Sequence, residues 1–276
     1  MSTLVYLCHF GDDKHGDLMV AAVTALRLVG NYQGEIIIYT DNPVLTGSLV
    51  KQMPGREQIA VVSNSGNRGL FTRYSAAYFL SSLYGKYHTN FVYLANDIIA
   101  KADLTEFFKT LEESPSELQC YTHEFYPHYN IRTSRVMNPL TIAYPRTYAG
   151  SLLTVNSSMF AFKPTETVAG IFERIRAERD ITPEYRYKLD YDTALFSFEV
   201  FKLGNLADRK YIKPLVNVVN GQGASITPDV TNALFQEFTQ HRTVSSKLSA
   251  VIKFVDELLP EDSEAKTLIQ SLGRGE

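Results

Sequence analysis

Short apolar runs alternate with longer amphipathic stretches through the first 112 residues. Residues 4–7, 35–39 with three consecutive isoleucines, 59–62 and 91–94 read as buried strands, being almost wholly apolar and too short for core helices. The stretches between them carry helix signals. Asp17 is placed to cap a helix over 18–29, with Gly30 as its stop. Asp41-Asn42-Pro43 breaks the second strand and starts a short helix. Over 71–84 the residues Ala76, Phe79, Leu80 and Leu83 share one helical face, and Gly85 follows as a stop. Asp103 and Glu106 have the spacing of a cap and its third helical residue, which predicts a helix from Leu104.

Strand and helix in strict alternation imply parallel pairing through right-handed crossovers. Ligands bind such sheets beyond the carboxyl ends of the strands. That rule gathers 8–12, 40–42, 63–68 and 95–97 on one rim. The second half is less regular. Residues 118–121 and 152–162 read as strands, and Pro164 opens a helix to about Arg179. Residues 190–203 read as a helix, and the chain from about Thr231 as three helical segments, the last two parted by Pro260 with Glu261-Asp262 at the next start. Leu248, Val251, Ile252, Val255, Leu258 and Leu259 form an apolar face that either pairs two copies as a homodimer or packs on its own domain.

Composition narrows the classes. With 45% hydrophobic and 21% charged residues the chain is globular, and a net charge of −3 gives no overall basic field for nucleic acid or anionic membrane. Cys8 and Cys120 sit in or after apolar runs and read as reduced, buried thiols. The run 4–7 is too short for a signal peptide and lacks its basic flank, and no stretch approaches the ~20 apolar residues of a membrane span. The expectation is a cytoplasmic protein with no membrane span.

The sharpest chemical signal is Phe91-Val92-Tyr93-Leu94-Ala95-Asn96-Asp97-Ile98-Ile99. A carboxylate between two apolar runs is costly without a partner. At a strand end that partner is a bound ligand or cation, or else Asp97 caps a turn. The segment resembles the Tyr-Leu-Asp-x-Asp signature of GT-A glycosyltransferases, above all family eight, the glycogenin-like enzymes. There the paired carboxylates hold a divalent metal, usually manganese, against the diphosphate of a nucleotide sugar. Asp97 matches the second acid, Asn96 the middle position, and Ala95 stands where the first acid would be.

Further segments resemble the family in the same order. Leu70-Phe71-Thr72-Arg73-Tyr74 resembles the helix start whose arginine approaches the donor; the other reading of Arg73 is a solvated surface residue. Val155-Asn156-Ser157-Ser158-Met159-Phe160 resembles the Asn-Ser-Gly strand lining the sugar site, with Ser158 for glycine. Leu189-Asp190-Tyr191-Asp192-Thr193-Ala194-Leu195-Phe196 resembles the motif whose acid contacts the donor sugar, with Asp192 the better match and Asp190 the alternative; a helix cap is the plainer reading. Cys8, His9, Phe10 and Asp12 after the first strand, and Asp41 after the second, match where the family binds the nucleoside. The family's late His-x-x-Gly-x-x-Lys-Pro has no counterpart histidine. Lys213-Pro214 and 217–223 occupy that region, and His241 reads as helix surface.

The resemblance covers about three quarters of the chain and implies a Rossmann-like GT-A fold: α/β, a mixed, mainly parallel sheet flanked by helices, with C-terminal helices. It divides the chain into a catalytic domain over 1–225, its nucleotide half 1–112 and its acceptor and sugar half 113–225, followed by a helical extension over 226–276. It implies transfer of a hexosyl or pentosyl unit from a nucleotide-diphosphate sugar, uridine diphosphate first, with Asp97, Asp192 and Arg73 catalytic and manganese on Asp97. Residues 125–165 hold Arg132, Arg135, Arg146 and Lys163 and no acid, interleaved with Tyr126, Tyr129, Tyr144 and Tyr148. Arginine forks beside aromatic faces suit a sugar or anionic acceptor, so Tyr126, Tyr129 and Arg132 are the acceptor candidates. The acceptor class stays open among glycan, protein, small molecule and nucleic acid. Other readings are a catalytically degenerate nucleotide-sugar binder, a nucleotidyltransferase, for which Phe10-Gly11-Asp12-Asp13-Lys14-His15-Gly16 is a poor phosphate loop, and a glycosyltransferase acting on nucleic acid.

Overall fold

The computed structural model describes residues 3–64, 70–124, 153–181, 195–196, 199–200, 212–215, 219–221, 233–238 and 243–273. The chain is α/β, with a mostly parallel mixed sheet flanked by helices, compatible with a Rossmann-like fold. It divides into two compact units, the first built from Met1–Gly69, Tyr93–Glu113 and Asn217–Glu276, the second from Leu70–Val92 and Ser114–Val216.

In the first unit β1 (Thr3–His9), β2 (Ile36–Thr40) and β3 (Ile59–Ser63) pair in parallel, so that His9, Thr40 and Ser63 align at the carboxyl ends. The strand order runs β3-β2-β1 and on to Tyr93 and Leu94 at the end of β4 (Asn90–Leu94). The rim expected from alternation is therefore present, with 10–12, 41–42 and Asn64 directly beyond it. β1 and β2 are apolar and buried almost end to end, which is why they read clearly in the sequence. Between them runs α1 (Asp13–Leu28), capped by Asp12 and not by Asp17. Asp17 lies inside the helix and accepts a hydrogen bond from the Gly273 amide at 2.9 Å. The short helix α2 (Pro43–Val50) begins as expected, its cap being Asn42, whose side chain accepts from the Leu45 amide.

A second, small sheet joins β5 (Ile98–Ala100), β9 (Val219–Gly221) and β10 (Phe235–Glu237), β10 lying antiparallel to β5 and parallel to β9. β10 replaces the first of the three C-terminal helices expected, because Phe235-Gln236-Glu237 finds its hydrogen bonds on a strand distant in sequence. Helix α5 (Thr105–Glu113) starts one residue later than expected, its first amide held by Asp103 at 2.7 Å.

In the second unit the order is the first residues of β4, then β7 (Leu153–Phe162), β6 (Leu118–Glu124) and β8 (Ile212–Leu215), with β6 antiparallel to β7 and parallel to β8. The expected helix over 71–84 is three pieces: a 3-10 turn (Leu70–Arg73), α3 (Ala76–Ser81) and α4 (Tyr84–Tyr87). The Ser81 and Ser82 hydroxyls donate to carbonyls of the preceding turn, an alternative to helical continuation. Leu80 and Leu83 end up exposed. Gly85 lies within α4, where the backbone passes so near the Phe79 carbonyl that a Cβ would sit 2.1 Å from its oxygen. Tyr74 stacks on Phe160, and Phe91 on Phe79 and Phe162, beneath α6 (Glu166–Ile181), which contributes Phe172. Of the helix expected over 190–203, the described residues Leu195, Phe196, Glu199 and Val200 are helical and buried.

The last helices are α7 (Val244–Leu258), with a Thr243–Ser246 capping box, and α8 (Glu264–Ser271), capped by Ser263 just after Glu261-Asp262. Leu248, Val251 and Val255 of the expected apolar face are buried within the chain, on the side of α7 that packs against α1. Among the described residues no helix is long and apolar enough to cross a membrane.

Candidate functional site

Residues expected at the nucleotide end of the site lie around the rim of the first unit. The Asn96 side chain donates to the Cys8 carbonyl at 3.0 Å, tying the turn after β4 to the end of β1. The Asn96 Oδ1 is buried and has no hydrogen-bond partner among the described residues. His9 is 1% exposed, and its Nδ1 lies 2.8 Å from the Thr46 hydroxyl, which in turn bonds Thr40. Burial holds the His9 pKa below the ordinary histidine value, against the raising effect of the Asp12 backbone and of the Asp41 and Asp12 charges. The His9 Nε2 has no hydrogen-bond partner among the described residues. Gly16 makes room for it: a Cβ there would lie 3.3 Å from Nε2 and 2.5 Å from Leu49.

Phe10 and Asp41 are partly exposed at the rim and Asp12 is exposed. The Asp12 carboxylate already works as the cap of α1, accepting from the His15 ring at 2.7 Å and its amide at 3.2 Å. Those bonds hold its carboxyl below the usual range. Neither cysteine is in a disulfide. Cys120 is buried and its thiol pKa is pushed far up, while Cys8 is half-buried at the rim.

Asp97 is a junction of three elements. Its carbonyl accepts the Phe238 amide at 3.0 Å, joining the turn before β5 to the end of β10. From Phe238 the chain needs only a few residues to enter α7, and the first turns of α7 return Lys247 to the Asp97 carboxylate at 2.5 Å. Both side chains are mostly buried, 20% exposed for Lys247 and 14% for Asp97. Lys14 of α1 reaches the same first turn of α7, bonding the Ser245 hydroxyl at 3.1 Å.

This donor set does not fit the divalent cation that the family resemblance implies. Ala95 has no ligand atom, Asn96 spends its amide on Cys8 and keeps its oxygen buried, and the Asp97 carboxylate faces an ammonium. Hard cations need several oxygens converging on one point. Among the described residues no group of three or more His, Cys, Asp or Glu side chains converges in that way.

In the second unit the structure joins two of the expected segments. Arg73 is 6% exposed, which rules out the solvated reading. Its Nη1 donates to the Ser157 carbonyl at 2.9 Å and the Ser157 hydroxyl at 3.1 Å. The bond falls at a break in the ladder. Cys120 pairs with Phe160, but Tyr121 pairs with Asn156, so 157–159 bulge out of register. Such bulges terminate pairing and re-aim side chains, often beside sites. A buried arginine thus fixes the part of β7 that resembles the sugar-lining strand. Asp190, Asp192, Tyr126, Tyr129, Arg132 and His241, and the Asn156 side chain, lie outside the described residues.

Lys247 is the residue that sequence reading missed. It stands 150 positions from Asp97, and a lysine in the first turns of a helix carries no local signal of such a partner. The only hint was a deficit: a motif built for two acids that keeps one. Compared with known proteins, the chain matches no family model, and no curated sequence is significantly similar to it.

Proposed function

We propose that the chain is a GT-A glycosyltransferase, transferring a hexosyl or pentosyl unit from a nucleotide-diphosphate sugar, uridine diphosphate first, to an acceptor. The observation that carries the reading is the double hydrogen bond from buried Arg73 to bulged Ser157. Two segments chosen for their resemblance to donor-site motifs, 84 residues apart, meet at a break in the sheet. In this reading Arg73 keeps its charge in a low-dielectric setting and supports the departing diphosphate. Cys8, His9, Phe10, Asp12, Asp41 and Asn96 supply the nucleoside rim, and Asn156, Ser157, Asp190 and Asp192 the sugar contacts. Tyr126, Tyr129 and Arg132 receive the acceptor.

Release of nucleotide from a panel of nucleotide sugars, with and without manganese, tests it. One donor should be hydrolysed well above the others, and Arg73→Lys should lower that turnover by about 10- to 100-fold, because a lysine offers one nitrogen for Ser157 and the donor where the planar guanidinium offers three. Turnover of no donor, with tight binding of one, would establish the second reading, a catalytically degenerate binder. The Lys247–Asp97 pair favours that second reading, since it engages the one acid the motif retains. Neither turnover nor binding would end both.

A further inference from the structure

We propose that Lys247 is a built-in cation for a diphosphate, standing where a divalent metal would otherwise be needed; this rests on the nucleotide-sugar reading of the rim. Asp97 follows the strand end where ligands of such sheets bind. An acid at that position attracts a cation, and the structure supplies one from its own chain, at 2.5 Å. The delivery is specific. Phe238 is bonded to the Asp97 carbonyl, and α7, capped by Thr243 and Ser246, begins six residues after it and carries Lys247 in its first turn.

The Lys247 ammonium has three N–H groups, and among the described residues it makes one bond, to the Asp97 Oδ2. Two donors remain for an incoming oxyanion. Lys14, held on Ser245 in the same turn of α7, adds a second positive charge nearby. Asp97 is then a positioning residue. It holds the ammonium in place beside the turn after β4, and a diphosphate shares the ammonium with it. The turn is anchored on the other side by Asn96 on the Cys8 carbonyl, so the cation is presented by a fixed frame. A lysine provides a compact point charge suited to phosphate, without the coordination geometry that a metal imposes.

Calorimetry with inorganic pyrophosphate and with uridine diphosphate, each in EDTA and in manganese, tests the inference on wild type, Lys247→Gln and Lys247→Arg. Wild type should bind both probes in EDTA, and manganese should not tighten either. Lys247→Gln should weaken both by about 10- to 100-fold, the value of a charge-assisted hydrogen bond, and Lys247→Arg should recover most of the loss. If Lys247→Gln does not fold, Asp97→Asn with Lys247→Gln removes the orphaned carboxylate together with its partner and carries the same test. Binding that requires manganese and ignores Lys247→Gln overturns the inference while the nucleotide-sugar reading stands. Lys247-dependent binding of pyrophosphate, with uridine diphosphate no tighter, supports the built-in cation and removes the nucleotide. Binding of neither probe in either condition removes both.

Discussion

Single residues at the rim make predictions that need no substrate. His9 is nearly fully buried, with Asp12, Asp41 and His15 as the charged or titratable groups acting on it. Its folded pKa lies below the unfolded value of about 6.5. Between those two values the unfolded chain binds more protons, so folding stability falls as the pH drops below about 6.5 and is level above it. The slope from this group approaches about 1.4 kcal/mol per pH unit at most. Melting curves between pH 7.5 and 5 should show that decline, and His9→Gln, although less stable at pH 7.5, should show a shallower one. An equal slope in the variant would place the titration elsewhere. At Asp97 and Lys247 a double-mutant cycle with Asp97→Asn and Lys247→Gln should give a coupling of about 1–3 kcal/mol, because a mostly buried charge loses its partner in each single variant. Additive effects would mean that the pair contributes nothing to the fold.

At the scale of elements, what could be read from the sequence was local. The isoleucine strand, the short helix after Asp41-Asn42-Pro43 and the alternation that orders β1, β2 and β3 each depend on residues a few positions apart, and they stand as expected. Elements decided by distant partners did not show. β10 is a strand only because β5 and β9 receive it, and the 71–84 helix breaks where serine hydroxyls and a tight return at Gly85 compete with periodicity. The candidate site divides in the same way. Asp97 and Arg73 were marked by motif, whereas Lys247, and the bond that takes Arg73 to Ser157, depend on folding. Two glycines turn this contrast into a prediction. Gly85→Ala should cost about 2–3 kcal/mol, since the clash is with backbone and cannot be relieved by a rotamer. Gly47→Ala, in α2 with nothing within 4 Å of the added methyl, should gain about 0.5–1 kcal/mol. Urea midpoints measure both, and a shared sign would refute the distinction.

At the scale of the whole molecule, the C-terminal helices belong to the core of the first unit. Leu248, Val251, Val255, Ile269 and Leu272 are each less than 10% exposed, Phe238 meets Phe254 edge to face, and Gly273 is hydrogen-bonded to Asp17 of α1. At about 2 kcal/mol per buried side chain these contacts are worth on the order of 10 kcal/mol, comparable to the entire stability of an ordinary domain, about 5–15 kcal/mol. The apolar face of α7 is therefore occupied by its own chain and has little left to offer a second copy. Lys247 sits on this same helix, so the charge at the rim and the core depend on one element. A chain ending at residue 242 should lose its cooperative melt and its near-ultraviolet circular dichroism and should bind an apolar dye, whereas Lys247→Gln in the full chain should keep all three properties of the wild type. A truncated chain that melts like the full one would show that α7 and α8 are an appendage.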